Sequence, residues 1–164
     1  MRFINGYLNI SKKLNKLLEY ICAILIILMT LIIWVQVFNR YFLGSSFVWV
    51  EDITKMLMVY MAMLGAAILV FEDGHVTITI LRDKLKYKNI LKLIFLLMII
   101  AFSALLVYSG IIFVVQTRRT SWMTGLHYRY YHFSMVIGGV FILNQSIAQS
   151  LKLIKEIFME EDYK

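Results

Sequence analysis

The sequence predicts an all-α integral membrane protein with four transmembrane helices. Three observations carry that expectation. Hydrophobic residues make up 61% of the 164-residue chain against 16% charged, with a mean hydropathy of +0.77. The charges collect between long apolar runs, and four such runs are present. A soluble chain of this size would leave large apolar patches in water. A helix needs about 20 mainly apolar residues to cross a hydrocarbon core of roughly 30 Å. The runs are continuous, which excludes the alternating strands of about ten residues that build a barrel.

The first run, residues 20–39, carries no charge and sets a span over about residues 17–39. Ahead of it, Ile10, Leu14, Leu17 and Leu18 stand at helical spacing with Lys12, Lys13 and Lys16 between them. Two readings fit: an N-terminal amphipathic interfacial helix, or an extension of the first span. No cleavable signal peptide is expected, because the apolar run is too long and lacks a small-residue cleavage pattern. Cys22, the single cysteine, is expected to pack as a small apolar residue.

The second run is uncharged only over residues 56–71. It reaches span length, 47–71, if the helix carries Glu51, Asp52 and Lys55 at its entrance, and it is the weakest of the four by hydropathy. Ser46 is placed to cap it, and Glu51 precedes Lys55 by four residues, the favourable order for an ion pair. The middle connection, 72–92, is the longest. Gly74 suits a helix C-cap there, and residues 75–81 read as a short surface-lying segment. The third run, residues 93–117, is longer than the hydrocarbon is thick, so its helix should tilt or project. The last connection is rich in aromatics (Trp122, Tyr128, Tyr130, Tyr131), as headgroup regions are. The fourth span covers 133–151. The chain contains no proline, so no proline kinks are expected. Residues 1–164 read as a single four-helix membrane domain.

Lysine and arginine counts orient the chain. Twelve lie in the N-terminal segment, the middle connection and the C-terminal tail, against five in the other two connections. The positive-inside rule then puts both termini in the cytoplasm. The same rule, with attraction to anionic phospholipid, accounts for the net charge of +7. It leaves nucleic acid unneeded as a partner.

The pattern also excludes classes of chemistry. No pair of carboxylates lies inside a span, and no glycine-rich phosphate loop or cysteine–histidine set is present. The chain therefore reads as a non-enzyme with no cofactor and no metal. His127 and His132 stand five apart, off a shared helix face. Met56, Met58, Met61 and Met63 read as packing residues. The span centres lack ionisable groups, which an ion path would need. Packing surfaces are better supported. Ala62 and Ala66, with Gly65 on the same face, and Ser134 with Gly138 give the small-residue spacing of close helix crossings. Arg40 has two open readings, an ion pair with Glu51 or Asp52 across the short connection, or snorkelling to headgroups.

Five groups stand in order along residues 40–76: Arg40-Tyr41, Trp49, Glu51-Asp52, Gly65-Ala66-Ala67 and His75-Val76. In that order and spacing the stretch resembles the DctQ-like small permease subunit of TRAP (tripartite ATP-independent periplasmic) transporters. Three departures are visible: Asp52 stands for a glutamate, Thr79 for an acidic residue, and His127 and Ser134 where prolines are frequent. The resemblance implies a large permease subunit as membrane partner and a periplasmic substrate-binding protein. It implies residence in the bacterial inner membrane and uptake of an organic acid, a C4-dicarboxylate or sialic acid, driven by sodium. The small subunit would be a scaffold. Arg40, Trp49, Glu51 and Asp52 would organise its outer edge, Gly65 with Ala66 a close crossing, and His75 the inner edge. The competing classes are a self-sufficient homo-oligomeric transporter or channel, and a membrane anchor for an enzyme or haem.

Overall fold

The computed structural model describes residues 2–72 and 88–161. Within them lie four helices: α1 (Arg2–Phe42), α2 (Val48–Phe71), α3 (Lys88–Gln116) and α4 (Arg129–Glu161). Each is long and apolar enough to cross a membrane. The expectations for Gly74, His75 and the segment 75–81 lie outside the described residues.

Helix α1 is continuous over 41 residues, about 60 Å at 1.5 Å per residue. Of the two readings of the N-terminal segment, the extension of the first helix is the one observed. Ser11, Asn15 and Leu18 of this extension are buried, so one stripe of it packs on the rest of the chain while its lysines stay exposed. Lys155 Nζ donates to Asn5 Oδ1 at 2.8 Å and the Tyr7 hydroxyl donates to Asn144. These bonds hold the start of α1 against the second half of α4, so both termini lie at the same end, here the terminal end. The α1–α2 and α3–α4 connections form the loop end.

The helices are arranged as a row rather than a closed bundle. In space the order is α1, α2, α4, α3: α4 packs on α3 along one side and on α2 along the other, and α1 packs on α2. Helix α1 reaches α4 over a smaller area, and α3 touches neither α1 nor α2 among the described residues. The core is a seam, with Leu18 of α1, Leu64, Ala67 and Val70 of α2, and Ile142 of α4 fully enclosed. Cys22 packs against this cluster with Ile21 and Leu25.

This arrangement leaves broad apolar surfaces uncovered. Trp34, Phe42, Phe102 and Val115 are each more than 60% exposed, which only a lipid or protein surround can accommodate. The least apolar helix, α4, is also the one most buried within the chain. The two facts belong together. A helix flanked on both sides by protein needs less apolar surface, and α4 accordingly buries Ser134, Gln145, Ser146 and Gln149. The serines return their hydroxyls to their own helix, Ser146 to Ile142 O and Ser150 to Ser146 O.

Close approach along the row depends on three glycines. A Cβ at Gly138 would lie 2.5 Å from Met63 Cβ of α2. One at Gly139 would lie 2.8 Å from Val107 Cγ2 of α3, and one at Gly110 would lie 2.9 Å from Val136 Cγ2 of α4. The small-residue pair Ser134 and Gly138 thus marks a real crossing inside the chain, while Gly139 and Gly110 on the α3–α4 seam carried no spacing signal of their own. Gly65 differs: nothing lies within 4 Å of a Cβ built there.

Candidate functional site

The loop end of α2 is where polar side chains converge. The α1–α2 connection needs one residue at positive φ, and Gly44 supplies it at 65°. Two amides from the last turns of α1 hold this connection down. Gln36 Nε2 donates to Phe47 O at 3.3 Å, and Gln36 Oε1 accepts from Phe47 N at 3.1 Å. Asn39, 6% exposed, donates to Ser45 O and Ser45 Oγ. Phe47, with extended φ and ψ, is the residue before the helix, and no side chain caps it. The cap expected at Ser46 is therefore replaced by the Gln36 amide, which reaches the backbone from another helix. Replacing Gln36 by leucine should cost about 1 kcal/mol, since two ordinary bonds revert to water or headgroup. A loss read by denaturant titration that is indistinguishable from zero would count against this clip.

Asp52 lies one helical turn further in and is 9% exposed. Its Oδ2 accepts the Ser121 hydroxyl in a short bond and the Thr124 hydroxyl at 3.1 Å. Its backbone carbonyl accepts the Tyr131 hydroxyl at 2.6 Å. Ser121 Oγ in turn accepts Met123 N, and Thr124 Oγ1 accepts Leu126 N. Each hydroxyl therefore passes on a backbone donor's polarity to the carboxylate, the arrangement in which bonds strengthen one another. The α3–α4 connection is folded beneath it as a small hairpin, with a bridge between Thr120 and His127 and bonds from Ser121 N to Leu126 O and from Gly125 N to Ser121 O. Gly125 turns it with φ 70°. One carboxylate on α2 thus fixes a loop about seventy residues downstream.

The other residues expected at this edge are placed differently. Glu51 faces out and holds Lys55 at 2.6 Å, an exposed i, i+4 pair. Arg40 is exposed at the end of α1 with no ion pair among the described residues. Asp52 is occupied by hydroxyls and Glu51 by Lys55, so the pairing of Arg40 with either acid is absent. Trp49 is 41% exposed, with its ring centroid 5.8 Å from that of Phe47. Along α2, Met58, Ala62 and Leu69 are exposed on the side where Gly65 is open, while Ala66 packs towards the core cluster. His132 stacks on Phe113 with centroids 5.2 Å apart. Ser121, Thr124 and Tyr131 are the residues sequence reasoning missed. The Ser-x-x-Thr-Gly spacing is a turn signal, but nothing in the sequence names its partner on α2.

With two hydroxyls on Oδ2 and a third on its backbone carbonyl, Asp52 acts as a structural clasp between α2 and the α3–α4 connection. Among the described residues no three His, Cys, Asp or Glu side chains gather as a metal site would need. The fold and site define a multi-pass membrane protein whose polar groups tie helices and loops to one another.

Comparison with known proteins makes the class specific. Residues 29–156 match the family of the DctQ component of tripartite ATP-independent periplasmic transporters, and the chain belongs to that family. A Haemophilus influenzae protein assigned as a TRAP transporter small permease protein is 30% identical over 151 residues, covering 90% of this chain and 94% of the relative. The sialic acid TRAP transporter small permease protein SiaQ of Vibrio cholerae is 28% identical over 153 residues, 89% of this chain and 86% of that one. A third match covers a small part of a longer protein. The sialic acid TRAP transporter permease protein SiaT of Haemophilus influenzae is 34% identical over 77 residues, 47% of this chain but 12% of its own length. The family is one of transporter membrane subunits and not of enzymes.

Proposed function

We propose that this chain is the scaffold subunit of a sodium-coupled TRAP importer that takes up an organic acid delivered by a periplasmic binding protein. It works in the bacterial inner membrane with both termini in the cytoplasm. The observation that carries the reading is the row order of the helices with their exposed apolar surfaces. Their polar side chains are spent on seams and loops, and those surfaces are left apolar, as suits a wall beside a moving partner. Family membership supports a large permease subunit as that partner. The segment of SiaT that resembles this chain inside a much longer permease supports it too. The named relatives SiaQ and SiaT favour sialic acid over C4-dicarboxylates as the acid class.

Within this assembly the open side of α2 receives the large subunit, with Gly65 and Ala62 admitting a partner helix at close range. Ala66 supports the same stretch from the core side. Arg40, Trp49 and the Glu51–Lys55 pair are exposed at the edge that would face the binding protein, and Asp52 keeps that edge in shape. His75 is assigned to the opposite edge by the family resemblance alone. The twelve-to-five distribution of basic residues supports the cytoplasmic placing of the termini.

The experiment is co-purification of the tagged chain from native membranes, followed by uptake measured in vesicles under a sodium gradient. A large polytopic partner should come with the wild type. Gly65→Leu should reduce that recovery roughly tenfold, as a bulky residue at a close crossing does, without lowering the chain's own stability. Solute flux by this chain alone would overturn the scaffold reading in favour of a self-sufficient transporter.

A further inference from the structure

At the terminal end, α1, α2 and α4 leave a recess of about 280 Å³ between them. Its walls carry both signs of charge. Lys12 and Lys16 of α1 and Lys152 of α4 supply three cations, and Glu19 of α1 and Glu72 at the end of α2 supply two carboxylates. None of the three lysines is ion-paired among the described residues. Asn15, also lining the recess, is 3% exposed; its Nδ2 donates to Glu19 Oε1 at 2.6 Å while its Oδ1 is buried with no partner among the described residues. The wall formed by Phe71 has its carbonyl held by Gln149 Nε2, and Gln149 Oε1 is likewise buried and unpartnered.

The recess lies at a defined depth. Glu19 immediately precedes the uncharged run of α1, Glu72 follows that of α2, and Lys152 follows that of α4. This is the level at which hydrocarbon gives way to headgroups. Continuing into the membrane along the same side of α1, Tyr20 and Ile27 are about two-thirds exposed, an apolar strip on which acyl chains can lie.

The charge census restricts what fits. Three ammonium groups without an ion pair among the described residues suit a phosphate oxygen cluster. Two carboxylates suit a group that only donates, and a primary ammonium has three donors and no acceptor. A free phosphate would leave the carboxylates facing another anion. A choline head has no N–H to give, and a glycerol head brings no positive charge. We propose that the recess binds the headgroup of an aminophospholipid, its phosphodiester among Lys12, Lys16 and Lys152 and its ammonium against Glu19 and Glu72. The inference rests on the four membrane-spanning helices and not on the choice of protein partner. A failed pull-down of the large subunit would leave it standing.

The test uses the full chain in mild detergent, offered equimolar phosphatidylethanolamine, phosphatidylglycerol and phosphatidylcholine and weighed by native mass spectrometry. Phosphatidylethanolamine should be retained over the other two by roughly tenfold, the scale of one or two close charge contacts. The triple variant Lys12→Gln, Lys16→Gln, Lys152→Gln should lose that retention. The double variant Glu19→Gln, Glu72→Gln should keep lipid but lose the preference for the amine. Lys13→Gln, an exposed lysine off the recess, should behave as wild type. If the triple variant does not fold, Lys152→Gln alone serves, with a several-fold loss expected. Equal retention of all three lipids overturns the proposal, as does wild-type retention by the lysine variants. Displacement of the lipid by millimolar inorganic phosphate overturns it in favour of a free anion.

Discussion

Replacing Asp52 by alanine is expected to lower the stability of the folded chain by about 3 kcal/mol, the scale of charged hydrogen bonds lost together with hydroxyls left unsatisfied. The loss should be local in character. Ser121 is 3% exposed and depends on Asp52 for an acceptor, and its own oxygen holds Met123 N. Amide hydrogen exchange should therefore speed up through residues 119–128, and at Leu126 in particular, whose N–H rests on Thr124. Asp52→Asn keeps a carbonyl oxygen for the two hydroxyls and should lose only about 1 kcal/mol. An alanine variant with an unchanged unfolding midpoint and unchanged exchange in the hairpin would remove the clasp from the account of this fold.

The second large effect is expected at Gly138. A leucine there must displace Met63 at its Cβ and its backbone carbon, the two closest rigid atoms at 2.5 and 3.3 Å. Helices α2 and α4 have to move apart, at a cost of about 3 kcal/mol, the upper part of the range for overpacking a filled interior. Alanine should cost about half that. The informative comparison is with Gly65, where a Cβ meets nothing within 4 Å. Gly65→Ala should be neutral or slightly stabilising in the isolated chain, because alanine favours helix by about 1 kcal/mol over glycine. Equal losses at the two glycines in reversible unfolding from mixed micelles would sink the distinction between inner and outer crossings.

Much of the fold was legible because the bilayer writes it in composition. Long apolar runs, their bounding charges and the absence of proline each constrain a helix without reference to its neighbours. What the runs cannot carry is neighbour order. Helix α2 looked anomalous because Glu51, Asp52 and Lys55 crowd its entrance, yet α4 is the least apolar helix. Its polarity becomes intelligible only once it is seen to lie between two others. Pairwise chemistry was harder still. The charge of Asp52 was visible, but a carboxylate has no preference written in its own neighbourhood for serine and threonine seventy residues away, and an arginine was the nearer-looking partner. Ser46 was a reasonable cap on local grounds and lost to Gln36, whose amide reaches both groups of Phe47 across the turn. Gly65 and Gly138 look alike in sequence, each among small residues. Only the packing separates the one that meets Met63 from the one that meets open space.

The place of α4 in the row has a consequence for the order in which the protein can be made. Synthesis delivers α1 and α2 first, and they have contacts with each other to form at once. Helix α3 emerges third and, among the described residues, touches neither of them. It must wait in the lipid, tethered but unpaired, until α4 enters between it and α2. Helix α4, made after α3, is thus the one that joins the two halves. A ribosome stalled before residue 129 would leave a packed pair and a stray helix rather than a partly built row.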